Sequence, residues 1–542
     1  FHLYDTHGFP LDLTQLMAEE RGMSVDVERF GELMERQREQ SRGGGAAGDA
    51  RQSLLEYVQQ HDLPETEFVG YEKLMIDESS IVASLLLSDE RVYYPTSNLP
   101  EGEAAAVVVD RTPFYAEAGG QVGDTGYIRS HEGAVFRVED TIKFGGVYFH
   151  LGRLESGSMH RGDIAFDTDD TLMLEVDAKR RGRIRCNHTS THLLNKALRD
   201  RVNPEADQRG SLVDEEKLRF DFSNASAVTP EQIAEVEAQV NADIESDLPV
   251  HASVAPQEAA RRINGLRAVF GEKYPPKVRV VSIGPEVEQL LDEPEHAEWA
   301  AYSIEFCGGT HLNRTSEAER FAVIGEEAVA KGVRRMTAVT GADATAAAKA
   351  GQALLEWVES LGERTGDALE NGLQELGDEM AEQVMPLTVR TTLRQHIDAL
   401  QKKLKAERKR ATKEAAAEAV EQARSIADAA EGPIIVAEIE GADGSTLRQA
   451  MDVIRKKRPE AAMLLGAREG KKAAFIASAP DSMIEQGLKA GDWVREVATV
   501  AGGGGGGRPD MAQAGGKHPE KLGEALEAAR AFAESKLSTL RE

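Results

Sequence analysis

His188 and His192 stand one helical turn apart in Asn-His-Thr-Ser-Thr-His, and Cys307 and His311 repeat that spacing far downstream in Cys-Gly-Gly-Thr-His. Three imidazoles and a thiol form a donor set that Zn²⁺ takes in tetrahedral array, and short-spaced pairs from two separate segments are a usual way to build it. Any one of these residues alone is more often a core or surface side chain; the two pairs together point to metal. Residues i and i+4 share one helix face, roughly 5–6 Å apart at Cβ, so His188 and His192 can reach one ion from a helix. Gly308 and Gly309 disfavour a regular helix and leave the backbone free to turn sharply, so Cys307 and His311 are expected to converge from a loop. A thermolysin-type protease is excluded, because its motif needs Glu directly after the first His and Thr189 stands there.

The chain has 542 residues, too many for one ordinary core. At about 150 residues per domain it should hold three or four modules. It has only two cysteines, Cys186 and Cys307, so no disulfide framework is visible and a reducing cytoplasm is the expected compartment. Cys186 lies off the ligand face of the helix and is read as a small packing residue. No apolar run is long enough for a bilayer, and no basic leader precedes a hydrophobic stretch, so no membrane partner is expected. The chain opens at Phe1 rather than Met, which reads as a piece of a longer polypeptide.

Lys and Arg number 64 against 93 Asp and Glu, a net charge of −29 that disfavours indiscriminate nucleic-acid binding. Three local clusters run against that balance. Lys179-Arg180-Arg181-Gly-Arg183-Ile-Arg185 leads into the histidine motif, Lys402 to Lys413 carries seven basic residues against Glu407, and Arg455-Lys456-Lys457-Arg458 forms the third. Each could be a solvated face, but together they suit a polyanionic partner.

The elements that must position these groups follow from periodicity. Residues 1–95 read as mainly helical, with apolar positions at helical intervals from Leu11 to Met34 and a break at Gly43–Gly48. Residues 96–170 carry short β-rich runs such as Val107-Val108-Val109 and Val147-Tyr148-Phe149, which suggest a small barrel or sandwich. In 171–342 strands and helices alternate; Asp177 is the expected N-cap of the histidine helix, and this α+β region holds all four ligands. Residues 343–430 turn to Ala, Glu, Leu, Lys and Arg with coiled-coil-like steps, read as two helices broken at Pro386 that form a self-packed hairpin or an oligomer contact. Residues 431–542 read as an α/β module opening with Ile434–Ile439. Its Gly502–Gly507 run reads as a flexible linker, and a phosphate-binding P-loop is disfavoured because His518 follows Lys517 where Ser or Thr would hold Mg²⁺. The fold class is therefore multidomain α+β.

Five motifs then appear in a recognisable order. Phe1-His-Leu-Tyr-Asp-Thr-His-Gly-Phe-Pro-Leu-Asp-Leu-Thr14, the segment Thr112 to Gly126, Asn187-His-Thr-Ser-Thr-His-Leu-Leu194, Glu305-Phe-Cys-Gly-Gly-Thr-His311 and Gly505 to Gly516 together resemble the C-terminal two-thirds of an alanyl-tRNA synthetase. The resemblance covers nearly the whole chain. It implies the end of a helical tRNA-recognition region, a β-barrel, a zinc-bearing editing domain, a helical connector and a C-terminal domain that binds tRNA and forms a homodimer. It also implies that the ATP- and alanine-binding aminoacylation core, with its Mg²⁺, lies upstream of Phe1. His7, Ala118 and Ser190 depart from the family's usual text, and the Gly119-Gly120-Gln121 turn is read as no more than a barrel corner.

The activity implied is hydrolysis of tRNA(Ala) charged in error with serine or glycine. An alanine pocket cannot exclude a smaller residue and discriminates weakly against one hydroxyl, so a second hydrolytic site must supply the accuracy. Thr189, beside the first ligand, is a candidate hydroxyl partner for a seryl side chain. Gln208 matches a position the family associates with editing, and Asp221 is a candidate for orienting water. The plainer readings are a Thr bonded to its own helix and an ordinary loop Gln. Lys402, Lys403, Arg408 and Arg508 are the candidate tRNA contacts. Whether Cys307 dissociates, the ion expands its coordination, or zinc only holds the site is open. A freestanding trans-editing hydrolase and a noncatalytic tRNA-binding protein with structural zinc are the competing classes.

Overall fold

Ile81-Val-Ala-Ser-Leu-Leu-Leu87 is an apolar run broken only by Ser84, a pattern that suits a buried strand or a helix equally well. It forms a strand, and the β-structure begins well before residue 96. The computed structural model describes residues 46–88, 92–157, 159–160, 171–269 and 274–538. The opening motif Phe1–Thr14, the helical pattern from Leu11 to Met34 and the glycines Gly43–Gly45 lie outside the described residues. Within 46–95 the expectation of mainly helix is corrected: after α1 (Ala46–Gln60) come β1 (Met75–Ser79), β2 (Ile81–Leu87) and β3 (Tyr93–Pro95).

Strands β4 (Ala104–Val109), β5 (Gly126–Ser130), β6 (Val135–Phe144), β7 (Val147–Ser156) and β8 (Leu172–Val176) complete an antiparallel sheet of order β1-β8-β5-β6-β7-β4-β2-β3. Its end strands β1 and β3 do not pair with each other, so among the described residues hydrogen bonding does not close the expected barrel. Strand β8, expected to open the next region, belongs to this sheet. Alternation sends Val107 and Val109 to one face with Ile128 and Phe136, and Val108 to the other with Leu54 of α1 and Phe149. Burial on both faces is why Val107-Val108-Val109 shows no polar alternation.

Helix α2 (Ala178–Arg201) carries both histidines. Asp177 caps it as expected, its carboxylate accepting from the Arg180 N–H at 2.9 Å. Strands β9 (Gln208–Val213) and β10 (Leu218–Ser223), helix α3 (Pro230–Glu245), strands β11 (Val250–Pro256), β12 (Lys277–Ile283) and β13 (Ser303–Phe306), and the hairpin β14 (Phe321–Ala330) and β15 (Val333–Thr340) follow. They form two antiparallel sheets, β9-β10-β15-β14 and β11-β12-β13. Leu194 and Leu198 of α2, Val236 and Val240 of α3, and Phe220 and Phe321 from the first of these sheets make one core. Cys186 packs at its edge, as read from the sequence.

One buried ion pair ties α2 to the segment that leads into β5 of the eight-stranded sheet. Arg181 and Asp124 are 2% and 1% exposed, and Arg181 also donates to the carbonyls of Gly70 at 2.8 Å and Pro113 at 3.0 Å, while Asp124 accepts from Tyr115 N–H at 2.7 Å. Breaking such a pair from one side leaves an uncompensated buried charge, which costs about 3–5 kcal/mol. Arg181→Met is therefore expected to lower unfolding stability by about that amount in urea titrations, and Arg181→Met with Asp124→Asn by less.

Beyond Thr340, α4 (Gly341–Leu361), α5 (Gly366–Glu382) and α6 (Leu387–Ala429) replace the expected two helices, with a break just before Pro386 as anticipated. The chain divides into two compact units, one running to Trp357 with Asp378–Arg394, the other Val358–Gly377 with Gln395–Glu542. In the second unit β16 (Ile434–Glu438), α7 (Gly444–Lys457), β17 (Ala462–Glu469), β18 (Lys472–Ser478), α8 (Ala490–Val500), β19 (Gly504–Gly507), β20 (Met511–Gly516) and α9 (Leu522–Ser538) give an α/β module with sheet order β16-β17-β18-β20-β19. The linker reading of the glycine run is thus corrected: it is an edge strand. Side chains are excluded at alternate positions, because a Cβ at Gly503 would lie 1.9 Å from Gly515 O and one at Gly505 2.2 Å from Ala514 Cβ, while Gly504 and Gly506 are uncrowded.

Candidate metal centre

Asn187 to His192 are six consecutive polar residues, all buried in the middle of α2. Burial of that kind is costly unless the groups are bonded. Asn187 donates to Asp214 O at 2.8 Å and accepts from Thr340 Oγ1 at 2.7 Å, and Thr191 donates back to Asn187 O at 2.8 Å. The helix is thereby fixed against the sheets behind it with His188 and His192 pointing at the loop that follows β13.

That loop is held by its backbone carbonyls. Arg279 of β12 donates to Cys307 O at 3.0 Å and Gly309 O at 2.9 Å, its guanidinium lies 4.0 Å from the Tyr71 ring centroid, and Tyr71 Oη donates to Gly308 O at 2.6 Å. Arg185 of α2 donates to His311 O. The loop is present as expected, but the reason for its glycines differs. Neither Gly308 nor Gly309 adopts positive φ; a Cβ on Gly309 would sit 2.0 Å from His188 Cε1, so the residue is bare to let the imidazole in.

The ligand atoms of His188, His192, Cys307 and His311 all lie within 4.8 Å of one another and could hold a metal ion. Cys307 Sγ is 3.4 Å from both His188 Nε2 and His311 Nε2. A tetrahedral ion with Zn–S of about 2.3 Å and Zn–N of about 2.0 Å would set an N···S edge of about 3.5 Å, so the spacing fits. His192 Nδ1 is buried without a hydrogen-bond partner among the described residues. Burial holds all three imidazoles neutral, His192 down to about 3 and the other two well below the ordinary histidine value, the form that ligates. Burial also pushes the Cys307 thiol up to about 11, so it needs a cation's charge to become thiolate.

His188, His192 and Cys307 line a cleft of 1110 Å³, together with Gln121, Gln208, Arg279 and Glu305, and His311 stands behind them. Gln208 is half-buried there and donates to Ser211 Oγ at 3.2 Å. Thr189 is fully buried and does not face the cleft: its hydroxyl accepts from Leu312 N–H at 3.1 Å and meets His311 Nδ1 at 3.2 Å. The expected hydroxyl for a seryl side chain is therefore already engaged. Asp221 does not line the cleft either, because Arg335 takes its carboxylate in a two-pronged pair at 2.7 and 2.8 Å. Three cleft residues escaped the sequence reading. Gln121 gave no signal beyond its turn, and Arg279 none. Glu305 did, as a charged residue within the wholly buried strand Ser303–Phe306; burial raises its carboxyl to about 7, and its Oε1 accepts from Asn195 at 2.9 Å.

In the second unit Lys403 donates to Gly362 O at 2.8 Å, and Arg408 pairs with Glu370. Lys402 is exposed, and Arg508 is exposed beside Asp510 at 3.3 Å.

Residues 1–172 match the family model for class II (A) tRNA synthetases, 278–337 that of the threonyl and alanyl tRNA synthetase second additional domain, and 431–535 that of the DHHA1 domain. The chain is 40% identical over 541 residues to an alanine–tRNA ligase of Nitrosococcus oceani, covering 99% of this chain and 56% of that protein. It is 37% identical over 539 residues to the alanine–tRNA ligase of Burkholderia cenocepacia, covering 99% and 55%. The chain belongs to the alanyl-tRNA synthetase family. It spans about half the length of the curated alanyl-tRNA synthetase relatives it matches. A solved C-Ala domain of the Aquifex aeolicus alanyl-tRNA synthetase is 31% identical over 18% of this chain and 86% of its own, with a TM-score of 0.17. Among the described residues no helix is long and apolar enough to cross a membrane.

Proposed function

We propose that this chain is the editing and tRNA-binding portion of a cytoplasmic alanine–tRNA ligase, and that it hydrolyses the ester of tRNA(Ala) mischarged with serine or glycine at a zinc centre made by His188, His192, Cys307 and His311. The observation that carries this reading is the convergence of four donors within 4.8 Å, three of them on the wall of a cleft large enough for an aminoacylated nucleotide.

The reaction needs an ester held in place, a water oriented toward it and donors for the developing oxyanion. When bound, zinc would supply Lewis-acid polarisation or a lowered water pKa. The chain itself contributes orientation. Thr189 and Gln121 meet the Nδ1 atoms of His311 and His188, which holds both rings with Nε2 toward Cys307. Gln208 presents an amide to the substrate space. A second reading rests on the same four donors, since structural zinc sites are closed by four protein ligands. Assaying seryl-tRNA(Ala) hydrolysis by the purified chain as prepared, after chelation and after zinc is restored separates the two. Loss and recovery of deacylation with an unchanged far-UV circular dichroism spectrum supports the catalytic reading; loss of deacylation together with loss of the folded spectrum supports the structural one, and hydrolysis indifferent to chelation contradicts the catalytic reading.

For the tRNA, Lys402, Lys403, Arg408 and Arg508 are the proposed contacts, with a homodimer through the C-terminal region. Changing Lys402, Lys403 and Arg408 to Glu is expected to weaken tRNA binding and flatten its salt dependence by about 0.7–0.9 per lost phosphate contact in the log–log slope. Arg408 should contribute least, because Glu370 already neutralises it. Equal slopes for variant and parent, from binding titrations across a salt series, would discard the stripe.

A further inference from the structure

Gln121 lies in the turn that the sequence marked only as a corner, yet it is fully buried and every polar atom of its amide is used at the ligand cluster. Oε1 accepts from Thr310 N–H at 2.9 Å and faces His188 Nδ1 at 2.7 Å, and Nε2 donates to Thr310 Oγ1 at 2.9 Å. The amide's orientation is fixed by a group that can only donate, the Thr310 backbone N–H, so the atom facing His188 is the carbonyl oxygen. A carbonyl oxygen can only accept. His188 must therefore carry its proton on Nδ1, which leaves the Nε2 lone pair directed at the space beside Cys307.

From this we infer that Gln121 is a positioning residue for the metal centre: one amide selects the ligating tautomer of His188 and at the same time fixes Thr310, the residue before ligand His311. The inference rests on the metal reading above. Its reach along the chain is long. Gln121 belongs to the segment matching the class II (A) model, whereas Cys307 and His311 belong to the segment matching the second additional domain, so the ligands' support comes from outside the segment that supplies the loop. Gly309 completes the arrangement, since a Cβ there would lie 2.4 Å from His188 Nδ1 and 2.9 Å from Gln121 Oε1.

Two variants of opposite character test it. Gln121→Met keeps the volume and removes the acceptor. Gln121→Glu keeps an acceptor for both N–H groups, and the Thr310 hydroxyl can turn to donate in place of the lost amide N–H. A carboxylate behind a metal-bound imidazole is a common and favourable arrangement. Zinc affinity of the whole chain, measured by competition with a chromophoric chelator, is expected to fall about 10–100-fold in Gln121→Met and to be retained or raised in Gln121→Glu. A residue that served only packing would give the reverse order, because Met fills the same space while Glu buries a charge. Gln121→Met binding as tightly as the parent, or Gln121→Glu binding more weakly than Gln121→Met, overturns the inference. A parent chain that takes up no zinc overturns the metal reading instead. Should either variant fail to fold, ¹⁵N NMR of histidine in the unaltered zinc-loaded chain decides: a proton on His188 Nδ1 supports the inference, and one on Nε2 overturns it.

Discussion

Cys307→Ala is expected to abolish hydrolysis of seryl-tRNA(Ala) and to lower zinc affinity by more than the about 10–100-fold that loss of an outer-shell partner costs. Cys307 is the only sulfur in the cluster, and its Sγ lies 3.4 Å from two of the three imidazoles, so its removal opens the tetrahedron at the corner both histidines face. The fold should survive. The residue sits in a loop beyond the end of β13, and the loop's anchors are carbonyls that alanine keeps: Arg279 to the oxygens of residues 307 and 309, and Tyr71 to Gly308 O. An unchanged far-UV circular dichroism spectrum together with lost deacylation is the expected pair of results. Unchanged deacylation by the purified variant would remove the metal from the mechanism.

Gly309→Ala should be nearly as damaging for a different reason. The added methyl would lie 2.0 Å from His188 Cε1, and that ring cannot swing aside cheaply because Gln121 holds its Nδ1 at 2.7 Å and Cys307 faces its Nε2. Overpacking of this kind costs about 1–3 kcal/mol of stability. Here the displacement falls on a ligand, so zinc affinity is expected to drop by at least about 10-fold. Gly308→Ala is the control: nothing lies within 4 Å of its would-be Cβ, and its variant should bind zinc as the parent does. Equal affinities for the two variants, read by the same competition titration, would contradict the steric account of the loop.

The grouping of the four donor side chains was legible because residue type and spacing carry their chemistry with them, and Asp177 because a cap is a local device. The same locality sets the limit. Asp221 reads as a free carboxylate until Arg335, 114 residues on, occupies it, and Thr189 reads as an available hydroxyl until Leu312 and His311 close over it. Gln121 meets partners 67 and 189 residues away, so nothing in its own neighbourhood announces the role. The strand Ile81–Leu87 was hidden by burial from both sides, which erases the alternation that distinguishes a strand. The glycine run reads as a linker because the cause of its alternate residues Gly503, Gly505 and Gly507 is the close approach of β20, a contact formed only when the sheet is complete.

Zinc K-edge X-ray absorption on the zinc-loaded chain tests the central claim most directly. One sulfur at about 2.3 Å and three nitrogens at about 2.0 Å are expected from Cys307 and the three histidines. A shell of light atoms alone, with no sulfur, would contradict the account.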